Sequence, residues 1–400
     1  MSKFFDVCVR GDGIVGRATA LLLAKERLKV ALVVPALPAL PLLPALPVAA
    51  RSAQADCRAY ALNSASKHML ESLRVWPDAP FVTPVQTMRV CGDDGGQLEF
   101  HAGAAGQSAL TWIVDVPQLE AQLRQACSYQ SLLELVAEPD AADLSASLSI
   151  ICEGQKSGSR GQVSTQWSTK PYAQKAVAAR LTSSQPHGGC ARQWFLNGGE
   201  SGGVNGAVLA LLPMGGAQGN AVALVWSVSD TQAAELEKLT DGDFCTALSA
   251  ALSAAAGPAG QTGTETFQLT SNRACWPLAL SSADRWVGTG WALAGDAAHT
   301  IHPLAGQGLN LGLADAACLT TVLAEREYWR GLGDEKLLRR YERARKAELA
   351  LVAAVTDGLQ SLFSQPGATW QSVRNWGMRG VQQSQPLKTW LMQRAAGQTL

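Results

Sequence analysis

The chain is 400 residues long, with 47% of its residues apolar and only 16% charged. At roughly 150 residues per domain, this length predicts two to three domains with enough chain to bury a large core. The 33 Lys and Arg residues balance 33 Asp and Glu residues, so the formal net charge is zero. Because nucleic acids are bound through accumulated Lys and Arg, this balance argues against a nucleic-acid partner.

Nine cysteines are scattered along the chain, and no two of them form a C-x-x-C pair. This usage is typical of reduced thiols in the cytoplasm and argues against a disulfide framework or a zinc site. At the N-terminus, Asp6, Arg10 and Asp12 interrupt any apolar signal-peptide region. We therefore expect a cytoplasmic protein that holds no metal ion.

A proline-rich segment follows the N-terminal region. Residues 31–50 carry no charge and would be long enough to cross a bilayer as a helix. Proline recurs at every third position from Pro35 to Pro47, which breaks a helix and matches the period of polyproline II. We interpret the segment as extended, either as a spacer or as a contact for a partner or a membrane surface.

The first 34 residues have the pattern of a strand, a glycine turn, a helix and a second strand. Apolar runs at 4–9 and 30–34 predict the strands, and apolar residues at helical spacing from 14 to 23 predict the helix. Residues 170–229 predict a second domain built on an antiparallel sheet. In chain order, the remaining pattern predicts helices over 57–76, 115–127 and 231–256, strands over 176–181, 208–212, 222–229 and 286–294, and a mostly helical segment over 308–395.

The turn after the first strand carries a G-x-G-x-x-G motif made by Gly11, Gly13 and Gly16. These glycines allow a tight turn and let backbone N–H groups approach a pyrophosphate at the helix N-terminus. The position between a strand and a helix favours dinucleotide binding, and a plain strand–helix turn is the alternative.

A second motif, GDAAHTIHPLAGQGLNLG, occupies residues 295–312. A strand delivers Gly295 and Asp296 to a turn, where the carboxylate can accept hydrogen bonds from sugar-like hydroxyls. Pro303 stiffens the loop, and the run Gly306, Gln307, Gly308, Leu309 and Asn310 leads into a helix whose N-terminal amides can face an electron-rich ligand. Asp296, His299 and His302 could instead bind a metal, but no fourth ligand is nearby in sequence and the glycines then have no role.

With these motifs the chain resembles the FAD-dependent aromatic-ring hydroxylases, which are class A flavoprotein monooxygenases. It is most similar to the branch that hydroxylates ubiquinone precursors. Other segments that carry the resemblance are DCRAYALN at 56–63, LALLPM at 209–214 and the C-terminal region 339–388. The resemblance implies a mixed α/β fold with a Rossmann-like FAD-binding domain over 1–165 and 270–330. An antiparallel-sheet substrate domain over 166–269 is interleaved with it, and a helical segment over 331–400 follows.

The resemblance also implies an activity, which is hydroxylation of a prenylated aromatic with FAD, NAD(P)H and O2. Asp296 would hold the ribityl chain and Arg58 would contact FAD, whereas no catalytic residue is assigned. The implied cofactor-binding residues are Gly11, Gly13, Gly16, Arg58, Gly295, Asp296, Pro303, Gly306, Gln307, Gly308, Leu309 and Asn310.

A prenylated substrate implies peripheral contact with the inner face of the membrane and with a quinone-biosynthesis protein complex. Trp370, Trp376 and Trp390 are candidates for the membrane contact, and the alternative is that they pack in the core or at a subunit contact.

The sequence departs from the family pattern around the adenosine end of the cofactor. Val34 and Pro35 stand where the family has an acid that accepts from the ribose, and Glu153 replaces an aspartate. Asp12 lies inside the glycine turn, so we expect its carboxylate to repel the pyrophosphate, with Arg10 offsetting part of this repulsion. Two hypotheses follow: a working hydroxylase that holds FAD loosely, and a non-catalytic relative that binds partners or prenylated intermediates.

Overall fold

The computed structural model describes residues 3–35, 56–92, 96–138, 144–154, 158–196, 207–256, 265–300, 308–364 and 384. The proline-rich segment beyond Pro35, the loop that carries Pro303, Gly306 and Gln307, and the tryptophans of the C-terminal region lie outside these residues. The hypotheses about them stay predictions.

The described chain contains eighteen strands and seven α-helices. The strands are β1 Phe4–Arg10, β2 Val30–Val34, β3 Ala59–Leu62, β4 Val82–Val85, β5 Thr87–Cys91, β6 Gln97–His101, β7 Thr111–Asp115, β8 Leu133–Ala137, β9 Ser145–Ile151, β10 Trp167–Ser183, β11 Cys190–Leu196, β12 Ala207–Pro213, β13 Ala221–Ser229, β14 Phe267–Leu269, β15 Ala274–Ala283, β16 Val287–Gly288, β17 Trp291–Leu293 and β18 His299–Thr300. The helices are α1 Ile14–Lys25, α2 Ser64–Ser72, α3 Val116–Tyr129, α4 Asp230–Lys238, α5 Asp241–Ala256, α6 Gly308–Ala324 and α7 Glu335–Ser364.

A six-stranded sheet forms the first layer, in the order β16-β17-β9-β1-β2-β8. The strands from β17 to β8 run parallel, and β16 is antiparallel to β17. All five residues of β2 are buried, as expected for a parallel strand that is covered on both faces. The predicted βαβ unit at the start of the chain is therefore the centre of this sheet.

The second large sheet has the order β18-β15-β10-β13-β12-β11-β5-β6, with β14 also paired to β10. Its neighbours are antiparallel except for β11 and β5. A separate three-stranded sheet contains β3, β7 and β4. The predicted strands over 176–181, 208–212 and 222–229 lie in the second sheet, and the predicted mixed α/β fold with an antiparallel sheet is confirmed.

The two faces of the second sheet carry side chains of different size. Large residues such as Leu209 and Trp226 form an apolar cluster with Phe244 of α5. Because side chains alternate along a strand, their neighbours face the other way. The opposite face, which we call the small-residue face, carries Ala176, Ala178, Ala191, Ala210, Ala223 and Ser227, with the larger Val208, Leu212 and Val225 beside them.

The structure corrects several predicted boundaries. The helix over 57–76 is wrong in its first part, because residues 59–62 pair with β7 as a strand and Asn63 then caps α2 by accepting from the Ser66 amide at 2.9 Å. The helix over 231–256 is two helices, α4 and α5, and the strand over 286–294 is two short strands joined by a turn. The spacing of apolar residues along the chain did not indicate any of these three breaks.

Sheet membership also differs from the predicted domain boundaries. Residues 87–91 and 97–101 form β5 and β6 of the antiparallel sheet, although the sequence placed them in the FAD-binding domain. The same holds for β15 at 274–283. The chain thus crosses between the two large sheets more often than predicted, because sequence periodicity identifies a strand but not its partner.

The C-terminal helix α7 packs against α6 and places Tyr341 in the core. Tyr341 is fully buried, and its hydroxyl donates to the carbonyl of Leu293 at 2.8 Å. Burial raises the pKa of Tyr341 well above its ordinary value. Within the described part of the chain, no helix is long and apolar enough to cross a membrane.

We expect Tyr341→Phe to lower the free energy of unfolding by about 1 to 3 kcal/mol, because a buried carbonyl loses its donor. Urea unfolding of the purified protein measures this change. Tyr328→Phe is the control, since Tyr328 is 95% exposed and its substitution should leave the midpoint unchanged. Equal midpoints for both variants would contradict the prediction.

Candidate cofactor site

A cavity of about 800 Å³ lies where the two large sheets meet. One side is built from residues that follow the carboxyl ends of β1, β9 and β17, including Asp12, Gly154 and Asp296. The other side is the small-residue face. In the parallel sheet, β1 lies between β2 and β9, and the chain leaves β1 toward β2. The carboxyl end of β1 is therefore the switch point at which parallel sheets bind ligands.

The glycine turn has the geometry of a phosphate cradle. A Cβ on Gly16 would lie 1.9 Å from the carbonyl oxygen of Gly11, and Gly11 itself has a φ of +126°. Gly13 has open space where a Cβ would stand, and it lines the cavity. It is also the N-cap of α1, with no side-chain hydrogen bond. The first amides of α1 are therefore not capped by a side chain, and the turn fits the pyrophosphate of FAD.

The predicted cofactor-binding residues fall into three groups. Gly13, Arg58, Asp296, Gly308 and Leu309 line the cavity. Four other predicted residues do not line the cavity but lie next to residues that do: Gly11, Gly16, Gly295 and Asn310. Pro303, Gly306 and Gln307 lie outside the described residues.

Arg58 reaches the cavity between two carboxylates. Its Nε donates to both carboxylate oxygens of Asp56, at 3.0 and 2.8 Å, and its Nη2 donates to Glu120 at 3.1 Å. The hydrogen bonds that Arg58 donates to Asp56 raise the pKa of Arg58, so the guanidinium stays charged. The predicted cofactor arginine is thus held in a fixed orientation.

Arg180 of β10 holds the segment that carries Arg58. Its Nη1 pairs with Asp115 at 2.6 Å, and its Nη2 donates to the carbonyls of Asp56 and Arg58 at 3.2 and 3.3 Å. This residue joins the antiparallel sheet to the wall of the cavity. Sequence analysis missed it, although a lone arginine in the apolar run 176–181 was a usable signal.

Asn310 joins α6 to the chain around β3. Its side-chain oxygen accepts from the Asn63 amide at 3.0 Å and from the Ser66 hydroxyl at 2.8 Å, and its amide group donates to the carbonyl of Ala61 at 2.8 Å. The side chain therefore holds the first turn of α6 in place through contacts within the protein.

Behind Asp296, the carboxylate of Asp315 is completely buried. It accepts from the Gly295 amide at 2.9 Å, pairs with His299 Nε2 at 2.7 Å, and accepts from Arg345 Nε at 2.7 Å. Burial raises the pKa of Asp315, but His299 and Arg345 outweigh it and hold the pKa below its ordinary value. We call Asp315, His299 and Arg345 the buried charge network.

The metal alternative finds no support in the described residues, where no group of three or more His, Cys, Asp or Glu side chains could hold a metal ion. His299 is instead committed to Asp315 and stacks on Trp286, with ring centroids 4.8 Å apart. His302 lies outside the described residues.

The adenosine end has the altered residues that the sequence indicated. Val34 is buried in the core and offers no acceptor to a ribose. Glu153 lines the cavity, and its carboxylate accepts from the amide and the hydroxyl of Ser159 at 3.0 and 2.7 Å. Glu153 therefore connects the residues after β9 to the chain at Ser159.

We expect Asp315→Ala to lower the free energy of unfolding by about 3 to 5 kcal/mol, because buried Arg345 would keep only its contact with the half-buried Glu348, while His299 and the Gly295 amide would lose their buried acceptor. Urea unfolding measures the loss. Glu335→Ala is the control, since its partners Arg285 and Arg339 are exposed and such pairs contribute little. The difference in unfolding free energy between Asp315→Ala and the parent should become smaller in acid. The pKa of the Asp315 carboxyl is lowered in the folded protein, so its contribution to stability is lost as it becomes protonated. Identical midpoints at neutral pH would contradict this role.

Comparison with known proteins agrees with the site. The family model described as FAD binding domain matches residues 102–356. Ubiquinone hydroxylase UbiL of Rhodospirillum rubrum is 29% identical over 99% of this chain and 90% of its own. The 3-demethoxyubiquinol 3-hydroxylase of Escherichia coli is 27% identical over 98% of each chain.

Among solved structures, p-nitrophenol 4-monooxygenase PnpA from Pseudomonas putida shares the fold. Its TM-score is 0.71 at 14% identity, and the match covers 100% of both chains. The resemblance stated from the sequence and the assignment of FAD as the cofactor are confirmed. The chain belongs to the FAD binding domain family, whose model matches more than half of it.

Proposed function

We propose that the protein is a flavin-dependent monooxygenase that hydroxylates a prenylated aromatic ubiquinone precursor with NAD(P)H and O2. One observation carries the proposal: a single cavity has the FAD motif on one side and an apolar, small-residue face on the other. Bound FAD supplies the redox chemistry by taking electrons from NAD(P)H and activating O2. The names of the two relatives, a ubiquinone hydroxylase and a demethoxyubiquinol hydroxylase, support the substrate class.

The chain's own residues bind and orient the two partners of the reaction. The glycine turn and Arg58 suit the phosphates, and Asp296 suits hydroxyls of the ribityl chain. The small-residue face leaves space for a flat ring and an apolar tail while keeping water away from them. The protein therefore positions FAD and the substrate and keeps water away from them. This division of labour explains why no catalytic triad is evident in the described residues.

The charge distribution supports an uncharged ring. Arg192 is the cationic residue in the described cavity lining contributed by the antiparallel sheet. Its guanidinium is bound by both carboxylate oxygens of Glu265, each at 2.7 Å. An aromatic carboxylate would need a cation that is not already paired, so a neutral phenol suits this face better.

The test is to purify the protein, measure its bound FAD, and incubate it with a prenylated phenol, NADH or NADPH, and O2. We expect a product that has gained the mass of one oxygen atom. Asp296→Ala should lose FAD and product together, whereas Asp78→Ala, at an exposed loop outside the cavity lining, should lose neither. Bound FAD without product would instead support the non-catalytic relative.

A prenylated substrate resides in a membrane, and we propose that the protein acts at the inner face of that membrane from the cytoplasm, beside other proteins of quinone biosynthesis. Tyr328 and Trp329, between α6 and α7, support such contact. They are 95% and 67% exposed, and their rings meet edge to face at 4.9 Å. Exposed Tyr and Trp are typical of membrane–water interfaces.

We expect the double substitution Tyr328→Ser and Trp329→Ser to reduce co-sedimentation with liposomes that contain a quinone precursor. Tyr129→Ser is the control, since Tyr129 is 81% exposed on α3. The two proteins should keep the same FAD content. Equal binding of the double variant and the control would exclude these aromatic residues as the membrane contact.

A further inference from the structure

An ion pair lies directly under the glycine turn. The carboxylate of Asp12 contacts the guanidinium of Arg17, and Arg17 Nε donates to the backbone carbonyl of Asp12 at 3.1 Å. Arg17 is buried, whereas the Asp12 side chain is one-third exposed and lines the cavity. The sequence predicted that Arg10 offsets part of the repulsion between Asp12 and the pyrophosphate, and the structure shows that Asp12 itself pairs with Arg17.

The position of Arg17 is unfavourable for a cation that has no partner. It lies near the N-terminus of α1, where the helix dipole favours negative charge. A buried guanidinium is costly unless it is paired. Burial raises the pKa of the neighbouring Cys127 thiol to about 11, so this side chain stays neutral. Asp12 is therefore the anion that compensates Arg17.

Two further cations on this side of the cavity, Arg124 and Arg58, have a partner of their own. Arg124 of α3 pairs with Glu120 at 3.6 Å, and Glu120 also pairs with Arg58 at 3.1 Å. Arg17 contacts Asp12 through both its carboxylate and its carbonyl. Among the described residues, the guanidinium of Arg17 is the cation closest to the Asp12 carboxylate.

We propose that Arg17 is a cofactor-positioning residue, which cancels the charge of Asp12 and holds it beside the turn so that the amides of residues 13–16 remain available to the FAD pyrophosphate. This inference rests on FAD binding, which is part of the proposed function. It revises the expectation that Asp12 repels FAD: the carboxylate does so only when its partner is removed. Asp12 and Arg17 thus act as one neutral unit.

The experiment is a double-mutant cycle on FAD-free protein. FAD is titrated into the parent, Asp12→Gly, Arg17→Met and the double variant, and flavin fluorescence gives each dissociation constant. We expect Arg17→Met to weaken FAD binding about tenfold or more, because it exposes the Asp12 charge, while the double variant stays within about threefold of the parent. Asp12→Gly leaves the Arg17 charge unpaired, so this variant should bind FAD at least as tightly as the parent. Lys25→Met, at the exposed C-terminal end of the same helix, should match the parent.

Thermal unfolding of the FAD-free proteins separates positioning from folding. Arg17→Lys keeps the charge and covers the case in which Arg17→Met does not fold. The proposal is overturned if Arg17→Met binds FAD as tightly as the parent, if it and the double variant weaken equally, or if Asp12→Gly weakens binding as much as Arg17→Met does. A parent that binds no FAD overturns the proposed function as well, whereas absence of product with normal FAD binding leaves this inference standing.

Discussion

One buried carboxylate, that of Asp315, joins parts of the chain that are distant in sequence. Its oxygen atoms bind the Gly295 amide, His299 and Arg345. Because a buried charge is tolerated only when its partners are in place, the loop after β17, α6 and α7 have to reach their positions together. The described part of α7 contributes no residue to the cavity lining, yet the wall around Asp296 depends on it.

A second set of contacts ties the antiparallel sheet to the same cavity. Arg180 extends from β10 to Asp115 and to the carbonyls around Arg58. The chain also crosses repeatedly between the two large sheets. The site is therefore a product of the interface between the sheets, and a rearrangement of either sheet would displace the residues that face FAD.

The sequence predicted those features that depend on neighbours along the chain. The βαβ unit and the glycine turn are local, and the strands over 208–212 and 222–229 show clear periodicity. Features that depend on distant residues were missed: the pairing of residues 59–62 with β7, the sheet membership of β5 and the partners of Asp315. The ion-pair partner of Asp12 was missed, because nothing in the sequence indicates that the side chain of Arg17 turns back toward it.

The unequal faces of the antiparallel sheet have a consequence for how this fold can diversify. Ala210 and Ala223 line the cavity, while their neighbours Leu209 and Val222 pack under α4 and α5. Alternation along the strand separates these two tasks, since each residue contributes to one face only. An alanine on the open face can be exchanged for a larger residue without disturbing the packed layer. Ligand size and fold stability are thus encoded at interleaved positions, so selection can change one while preserving the other.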